Sequence, residues 1–568
     1  MRIRNILSAL TIPFLAACGA SPNDPGAAQG VSEDLGAPDT VATTNFGHGA
    51  PRVEQSRDVR DVLLLSIDGL LEQDLENFIA AHPDSALAGL ARHGVRYTNA
   101  WVNRLDGSAT NPSDSFPGLL ALITGGSSKT TGGWYDVSYT RDLYPSSANC
   151  TGAPGTAVAY DESIEKDNAY LWGDAPPDDT PTHQSSVARS RDDLNQLPYR
   201  KSGSSCTPVF PHQYMRVNTI FQVAKEFGLH TAWSDKHLAY DFVNGTNGEG
   251  VDDFFGPEIN SDPSNSLIPS APAGSAFTDK WTYTEVYDDF KVQAILNEID
   301  GKWSDDGLAG ATDTSGPRPG TPALFGMNFQ ALSVAQKSSA SDGGYLDAAA
   351  DPAPQVADAL SHTDASIGKM VAELEARHLY DQTLVVVTAK HGQSPIDKTL
   401  YTPVDGDGVV DLLNGAGATV AGHIEDDVAL YWLADPTTAS TAAAALLSPT
   451  ASPDPRADQV FTMADPKFVA MFGDPTKDPH TPDVVVKVVK GTIYSLSKKK
   501  DAEHGGFADD DAHVGLLLSN PGFHAATNDT VVRTKQVAPT ILSALHLPPW
   551  ALDAVRAERT ETLPNVRF

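Results

Sequence analysis

Residues 62–69 read VLLLSIDG, an almost continuous apolar run that stops at Asp68 and Gly69. Helical spacing of apolar residues follows over residues 70–92. A strand that is apolar on both faces and leads into a helix is typical of a parallel sheet covered by helices on both sides. Similar runs recur at residues 323–328, 383–388, 484–489 and 514–519. The sequence therefore predicts an α/β fold with a mostly parallel central sheet.

The segments between these runs differ in character. Helical periodicity predicts helices at residues 215–227, 357–377 and 536–545. Residues 132–211 and 258–322 are rich in Ser, Asp, Pro, Gly and Thr, which predicts long loop insertions of the kind that carry specificity. Residues 403–481 contain a predicted strand at 428–433 and a predicted helix at 437–447, and we interpret them as a small inserted cap.

The first 18 residues, MRIRNILSALTIPFLAAC, combine a basic start, a short apolar run and small residues before Cys18. This pattern predicts a secretion signal. Its end, LAAC, resembles the bacterial lipobox, which implies cleavage before Cys18 and lipidation of its thiol; the alternative is an ordinary signal peptide with an incidental cysteine. Residues 19–57 are polar and predict a flexible tether to a globular part at 58–568. We expect an exported protein held at the membrane by lipid alone, in the bacterial periplasm or at the cell surface.

Charge narrows the range of partners. The 568 residues include 73 acidic and 40 basic side chains, for a formal net charge of -33. Such a field repels phosphate backbones, so binding to a nucleic-acid polymer is not expected. A small anionic substrate remains compatible, because a local cluster of cations can outweigh the global field. Cys150 and Cys206 are candidates for a disulfide, and the alternative is two inert thiols.

Polar residues that directly follow buried strands are the candidates for a site, because ligands of open parallel sheets bind beyond the strands' carboxyl ends. Asp68 follows the first run, and His391 follows the run at 383–388. Ser115 precedes an apolar helical segment, where free backbone N–H groups favour an anion, although it could instead be a simple helix cap. His504 lies just before the last apolar run.

At these residues the chain resembles the alkaline phosphatase superfamily, and most closely its nucleotide pyrophosphatase/phosphodiesterase branch. The resemblance rests on the Asp-Gly at residue 68, the Ser-Phe-Pro at residue 115, a Thr-Gly at residue 124 and the two later His-Gly pairs at residues 391 and 504. It implies an alkaline phosphatase-like fold and a hydrolase whose nucleophile is a serine. It also implies that Asp68, Ser115 and His391 surround one metal, and that His504 belongs to a second.

The sequence departs from the family pattern at half of the usual ligand positions. Lys390 replaces the carboxylate of the family's Asp-His-Gly, and Leu332 and Gln336 occupy the positions of an Asp-x-x-x-His pair. Two converging lysines, Lys390 and Lys337, could supply the charge of a lost metal, as in the sulfatase branch. A divalent ion, zinc by the resemblance, is therefore expected, as one ion or two.

The preferred interpretation is hydrolysis of a small-molecule phosphodiester or pyrophosphate by Ser115, with Lys390 assisting and Gln336 and Lys337 as candidate substrate-binding residues. A phosphomonoesterase or sulfatase-like hydrolase is the enzymatic alternative. The other alternative is a ligand-binding lipoprotein that keeps the fold after losing its metals. Asp364, on an apolar helix face, is expected to be partly buried and to need a hydrogen-bond partner.

Overall fold

A computed structural model describes residues 59–172, 191–308 and 319–568. The predicted signal peptide, the lipidation site Cys18 and the tether at 19–57 lie outside these residues. All of the described residues belong to one unit by their mutual contacts.

The strands of the described residues are β1 (Asp61–Ile67), β2 (Gly94–Tyr97), β3 (Ala100–Trp101), β4 (Val137–Thr140), β5 (Thr156–Ala159), β6 (Tyr199–Ser202), β7 (Ser205–Pro208), β8 (Ala232–Ser234), β9 (Asp253–Phe255), β10 (Leu324–Phe329), β11 (Thr383–Thr388), β12 (Thr402–Pro403), β13 (Val420–Glu425), β14 (Val428–Leu433), β15 (Ala457–Phe461), β16 (Val484–Val488), β17 (Thr492–Ile493), β18 (Leu517–Ser519), β19 (Ala526–Asn528) and β20 (Val532–Arg533). The central element is an eight-stranded sheet with the strand order β19-β2-β18-β11-β1-β10-β8-β9. β1 pairs in parallel with β10 and with β11, and the β10–β8, β8–β9 and β19–β2 pairs are also parallel. β18 runs antiparallel to both of its neighbours.

Helices cover both faces of this sheet, as expected from strands whose side chains are apolar on both faces. Val62 and Leu64 of β1 pack on one face with the helices Ser115–Thr124, Ile220–Glu226 and Val537–Ala544. Leu63 and Leu65 pack on the other face with the helices Glu72–Ala81, Trp281–Ile299 and Pro354–Ala376. The helices are α1 (Glu72–Ala81), α2 (Ala86–Arg92), α3 (Ser115–Thr124), α4 (Ser128–Thr131), Pro211–Tyr214, Ile220–Glu226, Trp281–Ile299, Ala331–Lys337, Pro354–Ala376, Gly406–Gly415, Ala439–Leu446, Phe468–Phe472, Asp509–Ala512, Val537–Ala544 and Asp553–Glu558.

The predicted α/β architecture is therefore confirmed, with two corrections to its strands. The run at 484–489 forms β16, which pairs antiparallel with β14 and β15 in a separate four-stranded sheet. Its side chains alternate between two apolar clusters, so the run is buried on both faces without belonging to the central sheet. The run at 514–519 contributes only Leu517–Ser519, and that strand is antiparallel. An apolar run reports burial but does not identify the partner strands.

Three strands of the four-stranded sheet lie in the region interpreted as a cap, and the fourth, β16, lies past the predicted boundary at residue 481. β14 spans the predicted strand, and the predicted helix is Ala439–Leu446. Within the insertion at 132–211, the hairpins β4–β5 and β6–β7 are described, and a disulfide joins Cys150 to Cys206. Within the described residues no helix has the length and apolar character needed to cross a membrane.

The Asp364 side chain has the hydrogen-bond partners that its burial requires. Its carboxylate accepts hydrogen bonds from the backbone N–H groups of Ala86 (3.1 Å) and Leu87 (2.7 Å) at the start of α2. The first N–H groups of a helix lack partners within the helix, so this contact ties α2 to the helix Pro354–Ala376. The role of Asp364 is structural.

Candidate active site

The register of the three central strands brings Asp68 and His391 to the same edge of the sheet. Ser66 of β1 pairs with Asn328 of β10 and with Thr388 of β11, so all three strands end at one level. Beyond that level, the backbone N–H of Gly69 donates to the carbonyl of His391 at 3.1 Å. Asp68 and His391 are both fully buried at this edge.

Helix α3 delivers Ser115 to the same place. Asp114 caps the helix, because its carboxylate accepts a hydrogen bond from the Phe116 N–H at 2.9 Å. Ser115 is therefore the first residue of the helix rather than its cap, and its hydroxyl is not used for capping. Gly118 permits the close approach, because a Cβ at this position would lie 2.2 Å from the carbonyl oxygen of Lys390.

The Ser115 hydroxyl lies at the centre of a polar cluster. Its Oγ is 3.1 Å from His391 Nε2, 3.2 Å from Asp68 Oδ2 and 2.9 Å from the Nζ atom of Lys236. Lys236 Nζ is also 3.3 Å from Asp68 Oδ2, and the Gln330 amide donates to the same oxygen at 2.5 Å. Asp68, His391 and Lys236 thus converge on the Ser115 hydroxyl, and Gln330 binds the Asp68 carboxylate from a fourth segment.

His504 completes this cluster from the other side. Its ring centroid is 3.7 Å from that of His391, and its Nδ1 atom is 3.7 Å from Asp114 Oδ1. Its loop is held by reciprocal backbone hydrogen bonds between Glu503 and Ser394, each 2.8 Å. The four residues selected from strand and helix ends in the sequence are therefore together in the structure.

The other candidate residues have their own partners. The ammonium of Lys337 is 2.8 Å from Glu503 Oε2, one residue before His504. The buried Gln336 amide donates to the carbonyl of Gly69 at 2.9 Å and to the Tyr345 hydroxyl at 2.6 Å. Leu332 is buried in the apolar core. Among the described residues, Gln336 is thus hydrogen-bonded next to Asp68, at Gly69, whereas Leu332 offers no polar atom to a ligand.

Lys390 lies beside the cluster in a fully buried ion pair. Its Nζ atom is 3.0 and 3.1 Å from the two carboxylate oxygens of Asp235, and it stands 4.3 Å from the centroid of the Tyr240 ring. Asp235 directly precedes Lys236, so this pair anchors the segment that carries the second lysine. The positive charge of Lys390 is thus paired with the carboxylate of Asp235, which follows a different strand, β8.

Sequence reasoning missed Lys236 and Asp235. Both directly follow β8, a strand of three residues, Ala232–Ser234, that is too short to stand out as an apolar run. The available signal was the same one that identified Asp68 and His391, a polar residue that follows a strand. Using this signal here would have required predicting β8 from its three residues.

The electrostatics of the site follow from its burial and its charges. Burial alone would raise the pKa of Asp68, but Lys390, Lys236 and His391 hold that pKa well below its usual range. Burial likewise opposes the charge of Lys236, yet Asp68, Asp235 and Asp114 raise its pKa. Burial and the neighbouring His391 lower the pKa of His504. The site at neutral pH therefore contains the Asp68 carboxylate and the Lys236 ammonium beside the Ser115 hydroxyl, and the neutral imidazole of His504 against the His391 ring.

Comparison with known proteins identifies the family. Residues 62–510 match type I phosphodiesterase/nucleotide pyrophosphatase. The chain belongs to this family. Proteins of this family are phosphoester hydrolases. The family match also supports the use of a divalent metal ion. No curated protein matches the sequence significantly.

Solved structures agree at the level of the fold. Alkaline phosphatase PafA is 12% identical with a TM-score of 0.53, covering 92% of this chain and 100% of PafA. Murine ectonucleotide pyrophosphatase/phosphodiesterase 5, as an inactive variant in complex with AMP, is 12% identical with a TM-score of 0.50 and coverage of 86% of this chain and 96% of its own. These structures confirm the fold inferred from the sequence. The match over residues 62–510 confirms the phosphodiesterase/nucleotide pyrophosphatase family.

The side chains at the site fit one divalent ion but not two. Asp68 Oδ2, Ser115 Oγ and His391 Nε2 lie 3.1 to 3.6 Å from one another. Ligands that share a tetrahedral ion at about 2.0 to 2.2 Å have separations of this size. Asp68 Oδ1 is buried and has no hydrogen-bond partner among the described residues. A second ion would have His504 as a ligand. It would lack the family's Asp-x-x-x-His pair, because Leu332 and Gln336 stand at those two positions.

Proposed function

We propose that this protein hydrolyses small-molecule phosphodiester or pyrophosphate bonds through Ser115 as nucleophile. The observation that carries the proposal is the convergence of Asp68, His391 and Lys236 on the Ser115 hydroxyl. Each of these side chains has an atom within 3.2 Å of Ser115 Oγ. In a family of phosphoester hydrolases, no other hydroxyl in the described strand-end cluster has this set of neighbours.

Asp68, Ser115 and His391 would hold one divalent ion, which we propose to be zinc. When bound, that ion would supply positive charge for the substrate's oxygens and favour the deprotonated hydroxyl.

The protein's own side chains account for the rest of the chemistry. The Lys236 ammonium, 2.9 Å from Oγ, also favours the alkoxide form of Ser115 and is placed to bind an oxygen of the phosphoryl group. Lys236 and His504 are the partly exposed members, each with about an eighth of its side chain accessible, so substrate approaches on their side. The Lys390–Asp235 pair orients the backbone that presents Lys236.

The reaction consists of two displacements. Ser115 Oγ attacks phosphorus, which forms the Oγ–P bond and breaks the bond to the leaving-group oxygen, and the proton of the serine hydroxyl leaves with that oxygen. Water then attacks the same phosphorus, the Oγ–P bond breaks, and a proton from the water returns to Ser115. The net result is hydrolysis of one phosphoester or anhydride bond without any redox change.

The deciding experiment compares Ser115→Ala with the wild type on bis-aryl phosphate, aryl phosphate and aryl sulfate. We expect the diester to be the best substrate and its turnover to fall by orders of magnitude in the variant. Because Asp114 provides the helix cap, the melting temperature should barely change. Ser108→Ala, at an exposed serine seven residues away, is the matched control. Full activity of Ser115→Ala would exclude this nucleophile.

The panel also separates the alternatives. Preference for aryl phosphate or aryl sulfate would favour a phosphomonoesterase or a sulfatase-like enzyme. A folded wild-type protein that turns over none of the three and binds no metal would favour a ligand-binding protein. Mass spectrometry of acid-quenched reactions with bis-aryl phosphate should find an aryl phosphoryl group on the peptide that contains Ser115.

We also propose export and lipid anchoring through Cys18, supported by the signal-like composition of residues 1–18. Cys18→Ala should shift the protein from the detergent phase to the aqueous phase. Equal partitioning of the two proteins would contradict the anchor.

A further inference from the structure

A second cluster of potential metal ligands lies next to the Lys236 segment and is not used by the chemistry above. Glu165, His237 and Glu258 each offer one ligand atom, and these three atoms lie within 4.8 Å of one another. Their side chains are almost entirely buried, with residue exposures of 6%, 8% and 0%. They come from three separate segments of the chain, so their proximity is a product of the fold.

The hydrogen bonds within the cluster leave it short of donors. His237 Nδ1 is 2.6 Å from Glu258 Oε2, and Glu165 Oε1 accepts the Leu238 N–H at 3.1 Å. Glu165 Oε2 is buried with no hydrogen-bond partner among the described residues, and the Glu165 carboxylate has an oxygen within 4.8 Å of a Glu258 carboxylate oxygen. Two buried carboxylates that face each other repel unless a proton or a cation lies between them.

We propose that Glu165, His237 and Glu258 form a binding site for one structural divalent transition-metal ion of the zinc class. Imidazole nitrogen and carboxylate oxygen are both ligands of Zn²⁺ in proteins, whereas hard ions such as Ca²⁺ take oxygen ligands alone. Two carboxylates also balance the charge of a divalent ion. The cluster is separate from Asp68, Ser115 and His391, so it requires no part of the proposed catalytic function.

The location of the cluster indicates what the ion does. His237 follows β8 and Glu258 follows β9, the two strands at one edge of the central sheet. Glu165 lies in the insertion at 132–211, and Glu258 begins the insertion at 258–322. An ion bound by all three residues would fasten both insertions to the sheet edge. It would also hold the backbone at Lys236, because His237 is the next residue in the chain.

The test is the metal content of the purified full-length protein, measured by elemental analysis after dialysis with Zn²⁺. The double variant Asp68→Asn/His391→Gln removes ligands of the proposed catalytic ion and should still bind one Zn²⁺ per chain. Adding Glu165→Gln/Glu258→Gln to that variant should abolish this remaining equivalent. Glu298→Gln, at a fully buried carboxylate outside the cluster, is the matched control and should keep it.

Stability provides an independent measurement. If the two carboxylates share protons instead of an ion, their glutamine isosteres should preserve the melting temperature, and Zn²⁺ should not change it. If they bind an ion, Zn²⁺ should raise the melting temperature of the metal-depleted Asp68→Asn/His391→Gln protein, and the two glutamines should remove this response.

Spectroscopy covers the case in which the glutamine variants fail to fold. Co²⁺ added to the Asp68→Asn/His391→Gln protein should give visible absorption bands of a ligand field with nitrogen and oxygen donors. Absence of stoichiometric Co²⁺ or Zn²⁺ in this protein would overturn the proposal, whatever the catalytic assays show. Ser115→Ala tests the catalytic proposal separately. We expect this variant to lose activity and to keep the ion bound by Glu165, His237 and Glu258.

Discussion

At the scale of single residues, the most informative side chain is Lys236, whose ammonium lies 2.9 Å from the nucleophile proposed above. Lys236→Ala should lower kcat by about 100-fold or more, because removing one preorganised donor from a developing oxyanion costs this much. Lys236→Arg should retain part of the activity, since the positive charge remains. Steady-state kinetics on bis-aryl phosphate measure both effects. Unchanged kcat in Lys236→Ala would show that the ammonium does not act on the reacting atoms.

Lys390 requires a different test, because its charge is paired within a fully buried site. Lys390→Met leaves Asp235 buried without its cation and should lower the free energy of unfolding by about 3 to 5 kcal/mol. The double variant Lys390→Met/Asp235→Asn removes both charges and should recover much of this loss. Urea unfolding of both variants measures the difference.

The same pair of variants separates two roles for Lys390. A Lys390→Met protein that is as stable as the wild type but inactive would support the role inferred from sequence, direct charge on the substrate. Recovery of both stability and activity in the double variant would instead make Lys390 a residue that positions Lys236.

At the scale of elements, helix α1 begins with a buried acid that makes its stability depend on pH. Glu72 is the first residue of α1 and is 4% exposed, and burial raises its pKa to about 8 although Arg96 partly opposes this. The unfolded chain releases this proton near pH 4.5, whereas the folded chain keeps it until about pH 8. The stabilisation is therefore complete below pH 4.5 and lost as the pH rises through 8.

Glu72→Gln should remove this dependence. The variant should be more stable than the wild type at pH 9, and the difference between the two should shrink steadily towards pH 4.5. Urea unfolding across this range measures the difference, which cancels contributions from other titrating groups. A difference that does not change with pH would mean that Glu72 is ionised in the folded protein throughout.

At the scale of the whole molecule, the net charge of -33 opposes the approach of an anionic substrate. Raising the ionic strength from 0.01 to 0.15 M shortens the Debye length from about 30 to about 8 Å and screens this repulsion. KM for bis-aryl phosphate should therefore fall over this range while kcat stays nearly constant, because the buried charges at Ser115 are screened much less. An uncharged ester of similar size is the control for binding. A KM that rises with salt would show that local cations dominate the approach.

The sequence by itself determined the sheet core and four members of the site. Strand β1 and its Asp68 are evident because a strand buried on both faces must be apolar along its length and must end where polar residues begin. His391 was selected by the same signal, Ser115 by its place before an apolar helical segment and His504 by its place before the last apolar run. Their resemblance to the family pattern implied the alkaline phosphatase-like fold. The missing family ligands at Lys390, Leu332 and Gln336 were also visible without a structure.

Only the tertiary structure decided which charges meet. The positions of Lys236 and Asp235 depend on β8, a strand of three residues whose pattern is too short to be distinguished from a loop. In the cluster of Glu165, His237 and Glu258, the histidine lies 72 positions after the first glutamate and 21 positions before the second. Similarly, nothing local in the run at 484–489 assigns it to the second sheet. Local patterns report burial and strand ends, whereas partners across the chain are set by packing of the whole fold.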